Sequence, residues 1–202
     1  PGAATSPIQP TRRGSDDAFV ARLNAGLASI AWSTYVGGTT PEAVFGLGCL
    51  PDRPDAIDRI IRIKGRPPAA GFILIGESLA QFSGWIAPTA GELKRLRAGH
   101  ETPITWVVTA GPSATHAVTG GRKTVAIRIT SHAIARSLCA AAGSPIISTS
   151  ANRHGRPPAR SALAVRSRFR QAVDAIVGGA VGPLARPTEI RMAASGKVLR
   201  QG

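Results

Sequence analysis

The stretch Pro145-Ile146-Ile147-Ser148-Thr149-Ser150-Ala151-Asn152 carries most of the information about this chain. Its apolar first half predicts a short buried strand from Pro145 to Ser148, and the small polar residues then follow at the strand's end. Such residues form poor cores, but they present hydroxyls, an amide and backbone N–H groups to a ligand. Because ligands of open α/β sheets collect at the carboxyl ends of strands, the run predicts a binding site.

A second stretch, Lys64-Gly65-Arg66-Pro67, lies about eighty residues earlier. It ends a predicted helix from Asp52 to Lys64. A helix C-terminus attracts cations in any case, so Lys64 and Arg66 are either an ordinary helix end or part of a phosphate site. Pro67-Pro68 stiffens the chain beside them. Together the two stretches offer fixed cations and a polar cradle, which a nucleotide phosphate chain requires.

The composition is that of one globular domain. The chain has 202 residues, 43% of them hydrophobic, which is enough for a substantial core. We expect a flexible tail at 1–14 and a single domain at 15–202. No apolar run approaches the roughly 20 residues of a membrane span, and no signal-like segment opens the sequence, so the expected location is cytoplasmic. Cys49 and Cys139 are expected to be reduced, buried thiols.

Positive charge is concentrated in the second half. Residues 1–100 carry 11 basic and 8 acidic side chains, whereas residues 101–202 carry 14 basic and 3 acidic, and the total net charge is +14. Six arginines and no acid lie between Arg153 and Arg170. This excess favours nucleotide phosphates or RNA as partners. A solubilising basic face explains the composition equally well, so both interpretations stay open.

Strands and helices alternate along the chain, which predicts an α/β fold. The predicted strands are a short one near 35–36, then 72–75, 104–109, 124–130, 145–148, 175–177 and a final short one near 198. The predicted helices are one that begins at 15–17, then 52–64, 77–82, 88–97, 133–142 and 161–170. On strand 124–130, Val125, Ile127 and Ile129 should face one way and Arg128 the other. Arg128 then lies either at a solvent-facing sheet edge or inside a charged cavity. The sequence contains no P-loop, no nucleophile elbow and no metal-ligand cluster of His and Cys.

Seven segments in this order and spacing resemble one known family. They are E-A-V-F-G-L-G-C at 42–49, K-G-R-P at 64–67, G-F-I-L-I at 71–75, A-I-R-I-T-S-H at 126–132, P-I-I-S-T-S-A-N at 145–152, P-T-E-I-R at 187–191 and K-V-L-R-Q-G at 197–202. The chain resembles the YrdC/TsaC family, the short threonylcarbamoyl-AMP synthases of the tRNA t6A pathway, from about Val36 to Gly202.

The resemblance implies a twisted, mixed open sheet flanked by helices around a basic cavity. It also implies a nucleotidyltransferase reaction in which L-threonine, bicarbonate and ATP give threonylcarbamoyl-adenylate and pyrophosphate, with Mg²⁺ accompanying the ATP and no recognisable protein ligand for the metal. The family's K-x-R and S-x-N signature maps onto Lys64, Arg66, Ser150 and Asn152 as catalytic residues. The expected substrate and ATP contacts are Thr40, Arg128, Ser148, Thr149, Thr188 and Arg200. The implied later partners are tRNA and a threonylcarbamoyl transferase complex.

The sequence departs from the family pattern at residues 39–42. The family reads Y-P-T-E where this chain reads Thr39-Thr40-Pro41-Glu42, so the Thr that contacts the amino acid is replaced by Pro41. Either Thr40 takes its place or threonine binding is weakened. This loop and the arginine run motivate an alternative, a catalytically weak or inactive YrdC-like protein that binds RNA. A related chemistry on another acceptor is a third interpretation.

Overall fold

The computed structural model describes residues 45–98, 103–169, 172–177 and 188–201, together with the backbone of 30–33. The predicted tail at 1–14 and the departing loop at 39–42 lie outside these residues, so the statements about them stay predictions. Within the described residues, no helix has both the length and the apolar character that crossing a membrane requires.

The described strands form one mixed sheet. They are β1 (Ile30–Ser33), β2 (Phe45–Gly48), β3 (Ile73–Gly76), β4 (Ile104–Thr109), β5 (Thr124–Ile129), β6 (Ile146–Ser150), β7 (Ala175–Val177), β8 (Glu189–Met192) and β9 (Val198–Arg200). Their order in the sheet is β7-β1-β2-β6-β3-β5-β4-β8-β9. β7 pairs with β1, β3 with β5 and β4 with β8 in parallel, and the other neighbours are antiparallel. The predicted mixed sheet is confirmed.

Five α-helices accompany the strands in the described part of the chain. They are α1 (Pro54–Lys64), α2 (Ala90–Arg97), α3 (His116–Thr119), α4 (Ala133–Ala142) and α5 (Ala162–Phe169). α1 begins with a proline, which suits the first helical position because its missing N–H has no partner there. α4 has the predicted bounds, and Gly143 ends it with a φ of 61°. The predicted helix at 77–82 is a short 3₁₀ helix, Leu79–Phe82.

Three apolar clusters cover the sheet. The largest places the buried face of α1 against β3, β4 and β5. The second packs α4 against Ile75 of β3 and Ile146 of β6. The third packs α5 against Phe45 and Leu47 of β2. Ile147 of β6 also belongs to the largest cluster, so α1 and β6 share that part of the core, and their polar ends meet beside it.

Two expectations about the strands are wrong in detail. β6 runs to Ser150 instead of ending at Ser148, because the polar run pairs with β2, Thr149 opposite Leu47 and Ser150 opposite Gly46. β6 is antiparallel to both neighbours, so the rule for carboxyl ends of strands does not explain this site. Ile129 lines a surface pocket together with Ile127, so the two share one face of β5 as predicted, although Ile129, the last residue of the strand, is 40% exposed.

Candidate functional site

The C-terminus of α1 separates the two cations of the Lys64-Gly65-Arg66-Pro67 stretch. Ile57 and Ile60 bury the apolar face of the helix, which fixes its last turn against the core. Gly65 follows with a φ of 59°, a left-handed conformation that glycine adopts without strain. Lys64 therefore ends the helix with only 6% of its surface exposed. After Gly65 the chain changes direction, so Arg66 no longer follows the helix axis.

The Lys64 cluster consists of Lys64, Ser150 and Asn152. The Lys64 ammonium donates to the Ser150 carbonyl, to Asn152 Oδ1 at 2.8 Å and to the Asn152 carbonyl at 3.1 Å. Ser150 Oγ in turn donates to Asn152 Oδ1. Lys64 thus binds the last residue of β6 and the loop residue Asn152 just after it. The structure brings together three of the four predicted catalytic residues in one hydrogen-bonded group.

The surroundings of Lys64 disfavour its positive charge. Burial, followed by the nearby charge of Arg66, lowers the pKa of Lys64 to about 8. The main chain holds it as well, because the Lys64 carbonyl accepts a hydrogen bond from the His154 N–H at 2.7 Å. A bound anion would favour the charged form, so this ammonium is suited to a phosphate or carboxylate ligand.

Arg66, the fourth predicted catalytic residue, lies beside the same run. Its guanidinium stacks 4.7 Å from the ring centre of Phe72 and donates to Thr149 Oγ1 at 3.4 Å. Burial, followed by the charge of Arg122, lowers the pKa of Arg66. The aromatic face and the hydroxyl hold the guanidinium in one place, which is the condition for stabilising charge without reorganisation.

A cleft of about 470 Å³ opens in front of these residues. Arg66, Arg122 and Arg200 line it, together with the hydroxyl-bearing side chains of β6. No Asp or Glu of the described ranges is among its lining residues. Ser148 Oγ is buried and has no hydrogen-bond partner among the described residues. An unpaired buried hydroxyl costs free energy, so it is suited to accept or donate a bond to a ligand.

Arg128, Thr188 and Arg200 form a second polar group next to the cleft. Arg128 is 4% exposed on β5, which lies between β3 and β4, and its Nη1 donates to Thr188 Oγ1 at 2.9 Å. Arg200 Nη2 donates to the Thr188 carbonyl at 2.9 Å. Arg128 is therefore an interior residue and not a sheet-edge residue, which settles the alternative that the sequence left open.

The predicted site residues fall into three sets. Arg66, Ser148, Thr149, Ser150 and Arg200 line the cleft. Lys64, Asn152 and Thr188 are hydrogen-bonded to those residues, and Arg128 is hydrogen-bonded to Thr188. Thr40 lies outside the described residues.

Sequence reasoning missed two residues of the cleft, Arg122 and Phe72. Arg122 lines the cleft, and its charge contributes to the lowered pKa of Arg66. The Gly120-Gly121 turn before β5 is the signal that could have drawn attention to Arg122.

Neither cysteine of the chain is a reactive nucleophile at neutral pH. Burial raises the pKa of Cys139 to about 12 and also raises the pKa of Cys49, so both thiols stay protonated. Both cysteines are free and buried, as predicted. Among the residues that the structure describes, no group of three or more His, Cys, Asp or Glu side chains is placed to hold a metal ion.

The chain is similar to proteins of one family. The Sua5/YciO/YrdC family model, described as "Telomere recombination", matches residues 39–202. A threonylcarbamoyl-AMP synthase from Halorhodospira halophila is 45% identical over 79% of this chain and 84% of its own length. One from Alkalilimnicola ehrlichii is 42% identical over 96% of this chain and 99% of its own length.

Solved structures agree with these sequence matches. Sua5 from P. abyssi in complex with L-threonine is 27% identical, with a TM-score of 0.72 over 85% of this chain and 49% of that chain. This chain thus spans about half the length of that Sua5. YciO from E. coli is 26% identical, with a TM-score of 0.67 over 87% of this chain and 84% of that chain. The family match and the relatives together show that the chain belongs to the Sua5/YciO/YrdC family.

Proposed function

We propose that this chain is an enzyme, a threonylcarbamoyl-AMP synthase of the nucleotidyltransferase class, acting in the t6A modification of tRNA. The observation that carries the proposal is the convergence of Lys64 and Arg66 on residues 148–152 at a cleft lined by arginines. Two relatives with that name are 45% and 42% identical over most of this chain. The complex of P. abyssi Sua5 with L-threonine supports threonine as a substrate.

The proposed reaction has two steps. The amine of L-threonine and bicarbonate first give the threonine carbamate and water. A carbamate oxygen then attacks the α-phosphorus of ATP, forming a new P–O bond while the bond to the β-phosphate oxygen breaks. Pyrophosphate leaves with that electron pair, and threonylcarbamoyl-adenylate remains.

The residues of the cleft suit this chemistry because two anions must meet in it. Lys64 and Arg66 would offset the repulsion between the carbamate and the triphosphate, with Arg128 and Arg200 adding positive charge nearby. Ser150 and Asn152 would orient phosphate or carbamate oxygens. The reaction needs no protein nucleophile, so positioning and electrostatics supply the rate.

The smaller polar side chains of the site have narrower proposed roles. Ser148 and Thr149 would contact threonine or phosphate from β6, and Thr188 would hold Arg128 and Arg200 toward the nucleotide. Thr40 would contact the amino acid if its loop faces the cleft. The labile carbamate is protected from water as long as it stays in the cleft.

Mg²⁺ is proposed to enter with ATP. The described lining of the cleft offers arginines and hydroxyls but no carboxylate, so it fits a metal held by phosphate oxygens and water better than one held by protein ligands. When bound, Mg²⁺ would neutralise part of the triphosphate charge. The residues of this chain would bind and orient the remaining oxygens.

The decisive experiment supplies L-threonine, bicarbonate, ATP and Mg²⁺ and detects threonylcarbamoyl-adenylate by mass spectrometry. The expected result is an adenylate that appears together with pyrophosphate and disappears when either threonine or bicarbonate is omitted. Pyrophosphate release without threonine, or no adenylate at all, would contradict the proposal.

The proposal places the protein in the cytoplasm, where a separate transferase complex would move the threonylcarbamoyl group to tRNA. The RNA-binding alternative is not favoured, because the relatives carry the name of a synthase. RNA binding that persists in 0.5 M salt, together with absent synthase activity, would restore it.

A further inference from the structure

Arg122 is an exposed side chain that lines the cleft and is held in place by two backbone carbonyls. It follows Gly120 and Gly121, whose φ angles of 64° and 81° turn the chain toward the cleft. Its Nη1 donates to the Ala69 carbonyl at 2.9 Å and its Nη2 to the Ala70 carbonyl at 3.0 Å. These carbonyls belong to the turn that follows Arg66, so Arg122 fastens that turn to the start of β5.

Two glycines bring the backbones close enough for this contact. A Cβ at Gly120 would lie 2.4 Å from the Ala69 carbonyl oxygen, and a Cβ at Gly71 would lie 2.5 Å from Arg122 Nη2. Neither turn could carry a side chain here without shifting. The guanidinium is therefore held between two packed turns at the wall of the cleft.

The placement of Arg122 beside Arg66 favours the binding of an anion. Both guanidiniums line the cleft, and no carboxylate of the described lining neutralises them. Their mutual repulsion contributes to the lowered pKa of Arg66, after burial. Within the part of the chain that the structure describes, two carbonyls occupy two of the five N–H donors of Arg122, which leaves three for a ligand. Guanidiniums match phosphate geometry with pairs of parallel hydrogen bonds.

We propose that Arg122, together with Arg66, binds the β- and γ-phosphates of ATP and retains them as the leaving pyrophosphate. This inference rests on the proposed synthase function. The Lys64 cluster then serves the α-phosphate and the carbamate, and the two ends of the triphosphate have separate cations. A terminal diphosphate carries enough negative charge to bridge both guanidiniums, which offsets the repulsion between them.

The test measures binding of inorganic pyrophosphate directly by calorimetry, which does not depend on synthase activity. We expect Arg122→Gln to weaken pyrophosphate binding about 10-fold or more, and Arg122→Lys to weaken it less because the charge remains. Arg97→Gln is the matched control, since Arg97 is an exposed arginine of α2 outside the lining of the cleft. It should change binding by less than about twofold.

Steady-state kinetics separate this role from a structural one. Arg122→Gln should raise the KM for ATP while leaving the KM for threonine and the melting temperature nearly unchanged. Unchanged pyrophosphate affinity in Arg122→Gln, or equal weakening in Arg97→Gln, would overturn the proposal. A parallel rise of both KM values with a lower melting temperature would overturn it too. If pyrophosphate binding depends on Arg122 but no adenylate forms, this inference stands and the synthase proposal fails.

Discussion

Glu92 and Lys64 are both charged residues buried at a helix end. Glu92 lies in the first turn of α2 with 2% of its surface exposed, and Lys64 is the last residue of α1 with 6% exposed. Glu92 accepts hydrogen bonds from Thr109 of β4, and Lys64 donates hydrogen bonds to Ser150 of β6. The two differ in how the fold treats the charge.

The fold stabilises the negative charge of Glu92. Its carboxylate accepts bonds from the Thr89 N–H at 2.8 Å, the Thr109 N–H at 3.1 Å and the Thr109 hydroxyl. Burial alone would raise the pKa of Glu92, yet these bonds outweigh it and hold the pKa below its usual range. Glu92 thereby completes a capping box and joins α2 to β4.

The fold disfavours the positive charge of Lys64. Among the described residues, its hydrogen-bond acceptors are carbonyl and amide oxygens and a hydroxyl, with no carboxylate among them. The lowered pKa means that the charged form is less stable here than in water. The contrast indicates that Glu92 serves the folded structure, whereas the charge of Lys64 becomes favourable when an anion binds.

The largest expected effect is that of Lys64→Met on catalysis. We expect adenylate formation to fall about 10³-fold, because the proposed stabilisation of transition-state charge by Lys64 is lost. The free energy of unfolding should change by about 1 kcal/mol or less, since relief of the buried charge offsets the lost hydrogen bonds. Mass spectrometry of the product and urea unfolding measure the two effects. A variant that unfolds would instead assign Lys64 to the structure, as Glu92 is.

Glu92→Gln should show the reverse pattern. We expect the free energy of unfolding to fall by about 2 kcal/mol, because the amide loses charge-assisted bonds and turns a donor toward Thr109. Activity per folded molecule should be unchanged. Asp58→Asn on the exposed side of α1 is the control and should cost less than about 0.5 kcal/mol. If Glu92→Gln lowers activity while stability holds, the comparison fails.

The pH dependence of ATP binding follows from Lys64. With a pKa of about 8 in the free enzyme, the ammonium is mostly charged at pH 7 and mostly neutral at pH 9. If binding needs the charged form, affinity for ATP falls about 10-fold between these values. Lys64→Arg stays charged and should show no such decline. An equal decline in that variant would assign the titration to another group.

The same shift has a consequence for stability. Because the pKa of Lys64 is lower in the folded chain than in the unfolded chain, its charge destabilises the fold below pH 8. This cost diminishes as the pH rises above 8 toward the pKa of an unfolded lysine. In urea unfolding between pH 7 and 10, the free energy of unfolding of the parent protein should therefore rise with pH by an amount that is absent in Lys64→Met.

The smallest expected effect belongs to Ser148. Its hydroxyl is buried without a partner in the described structure, so Ser148→Ala should leave the free energy of unfolding within about 0.5 kcal/mol of the parent or raise it slightly. The KM for ATP or threonine should rise roughly 3- to 10-fold, since the proposed neutral hydrogen bond from Ser148 to the ligand is lost. Ser167→Ala on the exposed side of α5 is the control. Unchanged KM values for both substrates would remove Ser148 from the site.

Local signals predicted the regular elements well where they were strong. β4 and α4 have the predicted bounds, because an apolar run and a glycine cap are encoded within a few residues. α3 and β8 were not predicted, since each has four residues and no periodic pattern. The true end of β6 depends on its pairing with β2, which lies about a hundred residues away in the chain. The residues around β6 carry no information about that partner.

The sequence by itself determined the residue types of the site: the K-x-R and S-x-N motifs, their order, and an α/β chain with excess positive charge. Only the tertiary structure decided how they are used. Lys64 and Ser150 are 86 positions apart, and they meet because β6 lies in the middle of the sheet beside the end of α1. Arg122 also reaches the cleft only in the folded chain, where the turn at Gly120 packs against the turn at residues 69–71. The sequence specifies which groups are available. Their burial and hydrogen-bond partners depend on the packing of distant segments, and these set the charge state and the position of each group.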